Sequence, residues 1–473
     1  MFIGQIVSCR PFLDKQGGAS YNAGDMNKRK PLMNLPAPVA FALERLNAAG
    51  FEAYLVGGCV RDACLGRTPT DFDIATQATP EEMRRALRGE RLLDTGLKHG
   101  TLTLLKEGLP IQITTYRQDG AYSDSRHPDA VAFTRSLKED VLRRDFTINA
   151  LAWHPQTGLI DHVNGLSDLE NRLIRAVGDP ERRMAEDSLR ILRALRFSAK
   201  LGFAIAPDTL NAMMAAGEGL QGVSAERVAE ELNQTLLAPD VAAALRDYPR
   251  VLYLALPELS PMLHTPQRTR FHAFDLWEHT LRTMAETEAD LALRWAALLH
   301  DSGKPAAATH DPDGTSHFKG HQAVSAALSQ KILKRLKQPS ALVEEVHILV
   351  RHHDDRIRPD NLKRWLNRLG PETGLKMLKL QYADARAHAP LIADEAHKIL
   401  RLYEEAEALI QSGSCLFLRD LAIDGRDLMA LGFKEGPAVG KTLRHLLDQV
   451  IEGHLKNDRA ALLSAAQALL QGP

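Results

Sequence analysis

The sequence has few of the residues that mark secreted, membrane-spanning or strand-dominated proteins. Aromatic residues make up only 5% of its 473 residues, which argues against an all-β sandwich and favours a helix-rich chain with a modest sheet. Its four cysteines are scattered without a standard metal-ligand spacing, so a reduced, cytoplasmic protein is expected. No run approaches the roughly 20 apolar residues of a membrane-spanning helix, and we expect no membrane partner.

Basic and acidic residues are also nearly equal in number. The 59 basic and 60 acidic residues give a formal net charge of −1, so bulk charge does not indicate a nucleic-acid partner. Any contact with phosphate must come from local basic clusters. A chain of this length exceeds one hydrophobic core, and several domains are expected. Residues 1–35, basic but without a long apolar segment, are predicted to be a disordered leader.

The hydrophobic pattern changes along the chain and predicts an α+β fold. Short β-like runs alternate with helices up to about residue 165, and helical patterns follow almost without interruption. We predict a head with a small mixed sheet at 36–165, a helical neck at 166–255, a histidine-rich helical domain at 256–395 and a helical tail at 396–473. The predicted strands of the head are Ala53–Val56, Phe72–Ala75, Thr101–Leu105 and Ile111–Tyr116.

The clearest sequence evidence for a functional site is a pair of glycines at the end of a predicted strand. Gly57 and Gly58 open a helix that carries Arg61, and the backbone N–H groups of such a turn suit phosphate oxygens. Asp71 and Asp73 follow on the next strand, where a spacing of two places both carboxylates on one side. The two carboxylates repel each other unless a cation binds between them, and Mg²⁺ favours carboxylate and phosphate oxygens as ligands. A lone Asp-x-Asp is more often a solvated strand end, but the glycine turn beside it favours a triphosphate and Mg²⁺ site.

These residues resemble the signature of the class II CCA-adding enzyme and bacterial poly(A) polymerase family, within the polymerase-β-type nucleotidyltransferases. The likeness covers about residues 36–235. Further matching segments are His99-Gly100-Thr101, Ile113-Thr114-Thr115-Tyr116-Arg117, Tyr122-Ser123-Asp124-Ser125-Arg126-His127-Pro128, Arg143-Arg144-Asp145-Phe146-Thr147-Ile148-Asn149-Ala150 and Asp161 through Arg175. The resemblance implies a polymerase-β-type head in which Asp71 and Asp73 are catalytic and bind Mg²⁺, while Gly58, Arg61 and Arg144 contact the nucleotide.

The resemblance departs from the family pattern at two places. Many relatives carry an acidic residue where this chain has Gln112. This chain therefore lacks, at that position, the third metal-associated carboxylate of those relatives. The hinge after the head usually reads Gly-Gly, and here it is Asn164-Gly165. Asparagine tolerates positive φ better than most residues, so we expect the turn to be kept.

A helix of the predicted neck begins near Glu186-Asp187-Ser188-Leu189-Arg190. Asp187 and Arg190 are three residues apart and so lie on one face of the helix. By spacing alone they form either a surface ion pair or a polar pair that reads a base edge, with the carboxylate accepting from the amino group of C or A. The resemblance implies that they select the incoming base, with Arg193 and Arg196 in support.

Histidines and aspartates recur through residues 271–390 in a pattern that resembles HD-domain phosphohydrolases. His279, His300, Asp301 and Asp384 match that family's His, His-Asp and distant Asp residues. His317, His321, His352 and His353 are candidates for further ligands. The resemblance implies a second divalent ion, a transition metal, bound in this domain, with or without hydrolytic activity.

The function expected from these patterns is the addition of C, C and A to the 3′ end of tRNA from CTP and ATP. Close alternatives are an enzyme that adds only A or only CC, or a poly(A) polymerase. The loop at 119–130 favours complete CCA addition, and the lack of a long basic tail disfavours poly(A) synthesis. A metal-dependent phosphohydrolase with a regulatory nucleotide-binding head is the alternative from another class. The sequence does not determine the oligomeric state.

Overall fold

The computed structural model describes residues 33–119, 131–269, 273–388 and 393–471. The described residues divide into two compact units, one within Met1–Thr115 and Leu151–Ile160, the other within Tyr116–Ala150 and Asp161–Pro473. The predicted leader and the loop at 119–130 lie almost wholly outside the described residues.

The first unit is built on a mixed seven-stranded sheet in the order β3-β4-β5-β2-β1-β8-β9. Strands β2 and β5 pair in parallel, whereas β1 pairs antiparallel with β2 and with β8. This arrangement confirms the predicted small mixed sheet, and the four predicted strands are all present. The strands are β1 (Ala53–Val56), β2 (Phe72–Thr76), β3 (Leu92–Gly96), β4 (Thr101–Lys106), β5 (Leu109–Thr115), β8 (Leu151–His154) and β9 (Gly158–Asp161).

The described residues of this unit also form three α-helices, α1 (Ala37–Ala48), α2 (Gly58–Cys64) and α3 (Pro80–Ala86), and a short 3-10 helix at Leu97–His99. Alternating side chains of the central strands are fully buried, as Leu55, Ile74 and Ile113 illustrate. Helix α3 begins at a capping box, in which Thr79 accepts from the Glu82 N–H and Glu82 accepts from the Thr79 N–H. Such a box satisfies two backbone donors that the first helical turn leaves open.

The second unit is almost entirely helical, as predicted. Its strands form three two-stranded pairs: β6 (Arg117–Asp119) with β7 (Val131–Phe133), β10 (Leu173–Ile174) with β11 (Ala204–Ile205), and β12 (Thr309–His310) with β13 (Ser316–His317). Its helices are α4 (Leu137–Leu142), α5 (Gly165–Glu170), α6 (Pro180–Glu186), α7 (Leu189–Leu201), α8 (Pro207–Ala215), α9 (Ala225–Leu236), α10 (Val241–Asp247), α11 (Pro249–Ala255), α12 (Leu276–Glu286), α13 (Leu291–Leu299), α14 (Lys304–Ala307), α15 (His321–Arg335), α16 (Ser340–His352), α17 (Leu362–Leu369), α18 (Pro371–Ala387), α19 (Ala393–Gln411), α20 (Gly425–Ala430), α21 (Pro437–Ile451) and α22 (Arg459–Gln471).

The hinge turn adopts the conformation expected from its asparagine. Asn164 has φ 60° and ψ 32°, in the left-handed region, immediately before α5. Asp161 stabilises this turn by accepting from the backbone N–H groups of Val163, Gly165 and Leu166, each at 3.0 Å. The departure from Gly-Gly is therefore accommodated.

Two separate hydrophobic clusters lie toward the end of the second unit. One joins α17, α18 and α19 with Leu416, and the other joins α20, α21 and α22. Helix α19, which we assigned to the tail by sequence, thus shares a core with the preceding helices. The predicted boundaries between neck, histidine-rich domain and tail stay predictions. Among the described residues, no helix has both the length and the apolar character needed to cross a bilayer.

Candidate active site and metal-binding cluster

The glycine turn of the head follows directly from β1 and leads into α2. Gly57 has φ 75° and ψ −133°, a backbone conformation that a side chain would strain. Arg61 lies one turn into α2, is almost fully buried, and forms an ion pair with Asp62 at 2.7 Å. A Cβ atom on Gly58 would lie 3.6 Å from the Arg61 guanidinium. Gly58 and Arg61, both predicted to contact the nucleotide, are therefore neighbours.

Asp71 and Asp73 lie on the same face of the β2 segment, as their spacing predicts. Both are exposed, while Phe72 and Ile74 between and after them are buried. In the sheet register, Asp73 pairs with Val56, the residue that precedes the glycine turn. Asp73 is thus held beside the glycine turn, with Asp71 two residues before it on the same face.

Gln112 occupies the position beside Asp73 on the neighbouring strand. The two residues are partners in the parallel pairing of β2 and β5, and Gln112 is exposed like Asp73. A carboxamide oxygen is a neutral ligand for a hard cation, whereas a carboxylate would add a third negative charge. The Asp71 and Asp73 pair therefore supplies the negative charge of this face without help from Gln112.

Cys59, in the first turn of α2, is not a reactive thiol. Burial, and to a smaller extent the negative charge of Asp73, raises the pKa of this thiol to about 11. Its Sγ donates to the Val56 carbonyl oxygen at 3.3 Å. Cys59 thus stays protonated at neutral pH and packs the glycine turn against β2.

Arg190, in the first turn of α7, is held by hydrogen bonds within the second unit. Its Nη1 donates to Glu186 Oε2 at 2.9 Å and to the Arg183 carbonyl oxygen at 2.6 Å. Its Nη2 donates to the Arg143 carbonyl oxygen at 3.4 Å. These contacts fix the guanidinium in one orientation, which is what recognition of a planar base edge requires.

Asp187 is held by a different partner, Arg227 of α9. The Arg227 Nη2 lies 3.0 Å from Asp187 Oδ2, while Asp187 Oδ1 accepts from the Leu189 N–H at 3.1 Å. Asp187 and Arg190 are therefore positioned independently, each by neighbours of opposite charge, and do not form the surface ion pair that their spacing alone allowed. Sequence reasoning assigned no role to Arg227.

The two supporting arginines of α7 also have carboxylate partners. Arg193 pairs with Asp145 at 2.6 Å, and Arg196 pairs with Glu231 of α9 at 2.6 Å. Burial opposes ionisation of Asp145, but the Arg193 guanidinium outweighs it and lowers the pKa of that carboxyl to about 2. Arg193 is about one-third exposed, and this network joins α7 to the Asp145 segment.

Arg144 is tied to the same region through a buried acid. Its Nη2 lies 3.0 Å from Asp140 Oδ2, and Arg143 contacts Asp140 Oδ1 at 2.5 Å. Burial disfavours charge on Asp140, but the two guanidinium groups lower the pKa of its carboxyl overall. Asp140 was not among the sequence-predicted residues, since a single acid in a short helix carries no distinctive pattern.

A second group of ionisable side chains lies inside the helices after residue 270. His279 comes from α12, His300 and Asp301 follow α13, and Asp384 comes from α18. His279 Nε2 lies 2.9 Å from Asp384 Oδ1, and His300 Nε2 lies 3.1 Å from Asp301 Oδ2. The structure therefore brings together the four residues that resemble an HD-type site. We call these four residues together with His321 and His353 the histidine cluster.

Two of the further histidine candidates join the cluster and two do not. The Nε2 atoms of His321 and His353 lie 3.2 and 3.6 Å from Asp301 Oδ1. By contrast, His317 is exposed and pairs with Asp311, and His352 pairs with Asp355. The six cluster residues form two groups, and within each group the candidate ligand atoms lie within 4.8 Å of one another: His279, His300 and Asp384, and Asp301, His321 and His353.

The four cluster imidazoles share an orientation that leaves Nε2 facing inward. The Nδ1 atoms of His300, His321 and His353 lie 2.8–2.9 Å from backbone carbonyl oxygens, and that of His279 lies 3.4 Å from one. A carbonyl oxygen can only accept, so Nδ1 carries a proton in each ring, and Nε2 offers a lone pair whenever the ring is neutral. This tautomer is the one that metal-ligating histidines adopt.

The carboxylates of the cluster stay ionised despite their burial. Burial opposes a charge on Asp301, but His300 and Lys304 hold the pKa of its carboxyl well below the usual range. The pKa of the Asp384 carboxyl is also lowered well below its ordinary value, because His388 and His279 outweigh the effect of burial. The cluster thus holds two buried anions that are balanced by the positive charge of protonated neighbours.

Comparison with known protein families gives three matches along the chain. Residues 53–175 match "Poly A polymerase head domain", residues 202–251 match "Probable RNA and SrmB-binding site of polymerase A", and residues 321–466 match "tRNA nucleotidyltransferase domain 2 putative". A protein of Limosilactobacillus fermentum, named CCA-adding enzyme, is 36% identical over 92% of this chain and 98% of its own length. The chain belongs to the CCA-adding enzyme family.

Other family members agree with this assignment and with the fold. The CCA-adding enzyme of Levilactobacillus brevis is 35% identical over 89% of this chain and 95% of its own. The crystal structure of the Bacillus stearothermophilus CCA-adding enzyme in complex with CTP matches with a TM-score of 0.70 and 29% identity, covering 93% of this chain and 98% of that one. The protein is therefore a nucleotidyltransferase with a polymerase-β-type head. The family assignment does not itself explain the histidine cluster.

Proposed function

We propose that this protein adds C, C and A to the 3′ end of tRNA from CTP and ATP. The observation that carries the proposal is the pair Asp71 and Asp73, which share one exposed face at the edge of the Gly57-Gly58 turn. The names of the family relatives support it, as do solved relatives with CTP, with ATP and with tRNA bound.

Asp71 and Asp73 are proposed to hold Mg²⁺, and Gly58 and Arg61 to bind the triphosphate. Bound Mg²⁺ would activate the RNA 3′-hydroxyl and stabilise the pyrophosphate leaving group. The hydroxyl oxygen gives its proton to solvent and attacks the α-phosphorus, and the bond from that phosphorus to the oxygen that bridges it to the β-phosphorus breaks, which releases pyrophosphate. The two exposed carboxylates fit this task because Mg²⁺ keeps part of its hydration and takes phosphate oxygens as further ligands.

Asp187 and Arg190 are proposed to select the base without a nucleic-acid template. The Asp187 carboxylate accepts from the amino group that both C and A present, and the Arg190 guanidinium donates to the ring nitrogen beside it. U and G present a carbonyl oxygen at that position and would face a repelling carboxylate. Arg144, Arg193 and Arg196 support the nucleotide from the same unit, and each is oriented by a carboxylate partner.

The direct test uses a tRNA transcript that ends before the CCA sequence. With CTP and ATP together we expect two C residues and one A, after which synthesis stops, and no incorporation of UTP or GTP. Incorporation of A alone or of CC alone would identify a restricted relative, and a long A tail would identify a poly(A) polymerase. A protein that hydrolyses phosphate esters but incorporates no nucleotide would contradict the proposal.

A second activity is favoured by the histidine cluster. We propose that it binds a divalent transition metal through His279, His300, Asp301 and Asp384, since imidazole and carboxylate ligands suit such ions. Such a metal lowers the pKa of bound water and so supplies a nucleophile for phosphate ester hydrolysis. The Asp384 side chain is 21% exposed, although its Oδ1, which faces His279, is inaccessible to solvent.

Hydrolysis is tested with a phosphomonoester and a 2′,3′-cyclic nucleotide in the presence of Ni²⁺, Co²⁺ or Mn²⁺. We expect metal-dependent release of product that Asp301→Asn abolishes while nucleotide addition persists. Release that is unchanged in Asp301→Asn would assign the hydrolysis to another site. The cytoplasmic location expected from the cysteine content stays a prediction.

A further inference from the structure

Asp187 lies at the break between two helices. Helix α6 ends at Glu186 and α7 begins at Leu189, and Asp187 between them is extended, with φ −148° and ψ 100°. Its carboxylate is held by Arg227 and by the Leu189 N–H. Ser188 is the one residue between Asp187 and the start of α7, so a movement of Ser188 also moves the backbone of Asp187.

Ser188 is buried and is tied to both helices. Its side chain is only 3% exposed, and its Oγ donates to the Met184 carbonyl oxygen at 3.4 Å. Its own carbonyl oxygen accepts from the Ile191 N–H at 3.1 Å. Because protein interiors contain few voids, a group pressed against Ser188 must displace the residue itself.

Gly219 makes the closest approach to Ser188. It lies in the 3-10 helix Gly217–Gly222, which follows α8. A Cβ atom on Gly219 would lie 2.1 Å from Ser188 Oγ and 3.1 Å from Ser188 Cβ. Gly219 does not have a positive φ, so its backbone would accept a side chain without strain. The close approach to Ser188 is therefore what requires a glycine here.

The 3-10 helix is anchored on both sides of Gly219. Gly219 itself is exposed, but Gly217 and Leu220 are buried. A Cβ atom on Gly217 would lie 2.6 Å from Leu254 of α11. Three residues complete a turn of such a helix, so Gly217 and Gly219 face different sides. The helix cannot retreat from Ser188 without losing its packing on α11.

We propose that Gly219 is a positioning residue for base selection, because its missing side chain lets Ser188 hold Asp187 where the carboxylate meets the base. This inference rests on the base-selecting role of Asp187 proposed above. Cβ atoms essentially never lie within 3.0 Å of another heavy atom, so Gly219→Ala would displace Ser188 by about 1 Å. A displacement of that size is enough to break a hydrogen bond to a base edge.

The experiment lets CTP and UTP compete for single-turnover addition to a tRNA transcript that ends before CCA. Gly219→Ala should narrow the preference for CTP by about 10-fold. The rate at saturating CTP should change less, since Asp71 and Asp73 are untouched. The matched control is Gly222→Ala at the end of the same 3-10 helix, where a Cβ atom meets open space. This variant should keep the preference.

Two further variants separate positioning from a general loss of stability. Gly217→Ala overpacks the same 3-10 helix against Leu254, so it should lower the midpoint of thermal unfolding but keep the preference. Ser188→Ala combined with Gly219→Ala removes the 2.1 Å contact and keeps the one at 3.1 Å. Relative to Ser188→Ala, this double variant should narrow the preference less than Gly219→Ala does in the wild type. If Gly219→Ala does not fold, the double variant carries the test.

The outcomes distinguish this inference from the proposed function. A CTP preference unchanged in Gly219→Ala would overturn the inference, as would an equal narrowing in Gly217→Ala or in the double variant. If only the double variant folds, a preference equal to that of Ser188→Ala would overturn it. In each of these cases Asp187 keeps its proposed role if Asp187→Ala narrows the preference. A preference unchanged in Asp187→Ala would overturn that role and the inference together.

Discussion

The head and the histidine cluster are both proposed to bind cations through aspartates, but the surroundings of these aspartates are opposite. Asp71 and Asp73 are exposed on the edge of a sheet, whereas Asp301 is buried among helices and within 3.6 Å of four imidazole nitrogens. An exposed pair needs phosphate oxygens and water to complete the coordination of a hard ion. The buried histidine cluster supplies most of the metal ligands itself, and its imidazole nitrogens suit a softer ion.

This difference implies that the two sites respond differently to substrate. The head should bind its ion tightly only together with a nucleoside triphosphate, because the triphosphate supplies ligands that the chain lacks. The histidine cluster should bind its ion in the free protein. The two sites can therefore be separated by substitution, by metal and by the presence of nucleotide.

The largest expected effect is the loss of nucleotide addition from the head. Asp71→Asn and Asp73→Asn should each lower single-turnover CMP incorporation by roughly 1,000-fold or more, an effect of about 4 kcal/mol on the transition state. Thermal unfolding should not change, since both side chains are exposed. Glu81→Gln, which alters another exposed acid of the head, is the control and should incorporate normally. Near-normal incorporation by the aspartate variants would remove them from the active site.

A smaller effect is expected when metal binds the histidine cluster. Co²⁺ at about 100 times its dissociation constant should stabilise the fold by about 2.7 kcal/mol, measured as a rise in the midpoint of thermal unfolding without nucleotide. The rise should vanish in Asp301→Asn and persist in Asp71→Asn. If the rise in the unfolding midpoint is lost equally in Asp301→Asn and in Asp71→Asn, the two sites do not differ in the proposed way.

Base selection is expected to change more modestly than catalysis. Asp187→Ala should narrow the preference for CTP over UTP by roughly 10- to 100-fold, the equivalent of about 1–3 kcal/mol, as measured by competitive incorporation. Arg227→Ala should narrow it less, because Arg227 only orients Asp187. If Arg227→Ala relaxes the preference as much as Asp187→Ala, Arg227 itself contacts the base. A preference unchanged in both variants would exclude Asp187 from base selection.

The smallest effect concerns acid stability near α7. The pKa of Asp145 is lowered to about 2 by Arg193, so its stabilising contribution is complete above about pH 5 and is lost as the pH falls through 4 toward 2. Between pH 6 and pH 3, the free energy of unfolding of the wild type should fall by about 1 kcal/mol more than that of Asp145→Asn. Equal falls in urea titrations would show that this ion pair does not stabilise the fold.

Much of the fold and of the head could be predicted because the evidence was local in sequence. Alternation within β2 predicted that Asp71 and Asp73 share a face, and the conformational freedom of asparagine predicted the turn at Asn164. The position of Gln112 beside Asp73 depends on a parallel pairing between distant strands, which periodicity does not reveal. The partners of Asp187 and Arg190 likewise come from other segments, α9 and the residues around Arg183.

The histidine cluster shows the same limit more clearly. Among the further histidine candidates, spacing did not separate His321 and His353, which reach Asp301, from His317 and His352, which do not. Which histidines reach Asp301 depends on how α15 and α16 pack and on which backbone carbonyl oxygen accepts from each Nδ1. The core that α19 shares with α17 and α18 is likewise not marked by a change in composition, and the predicted domain limits stay predictions.

The most direct test of the central claim is a crystal structure of the protein with Mn²⁺ and a non-hydrolysable CTP analogue. We predict an anomalous scattering peak within about 2.5 Å of carboxylate oxygens of both Asp71 and Asp73, with the triphosphate against Gly58 and Arg61. A nucleotide and its Mn²⁺ bound away from either carboxylate would contradict the proposed active site.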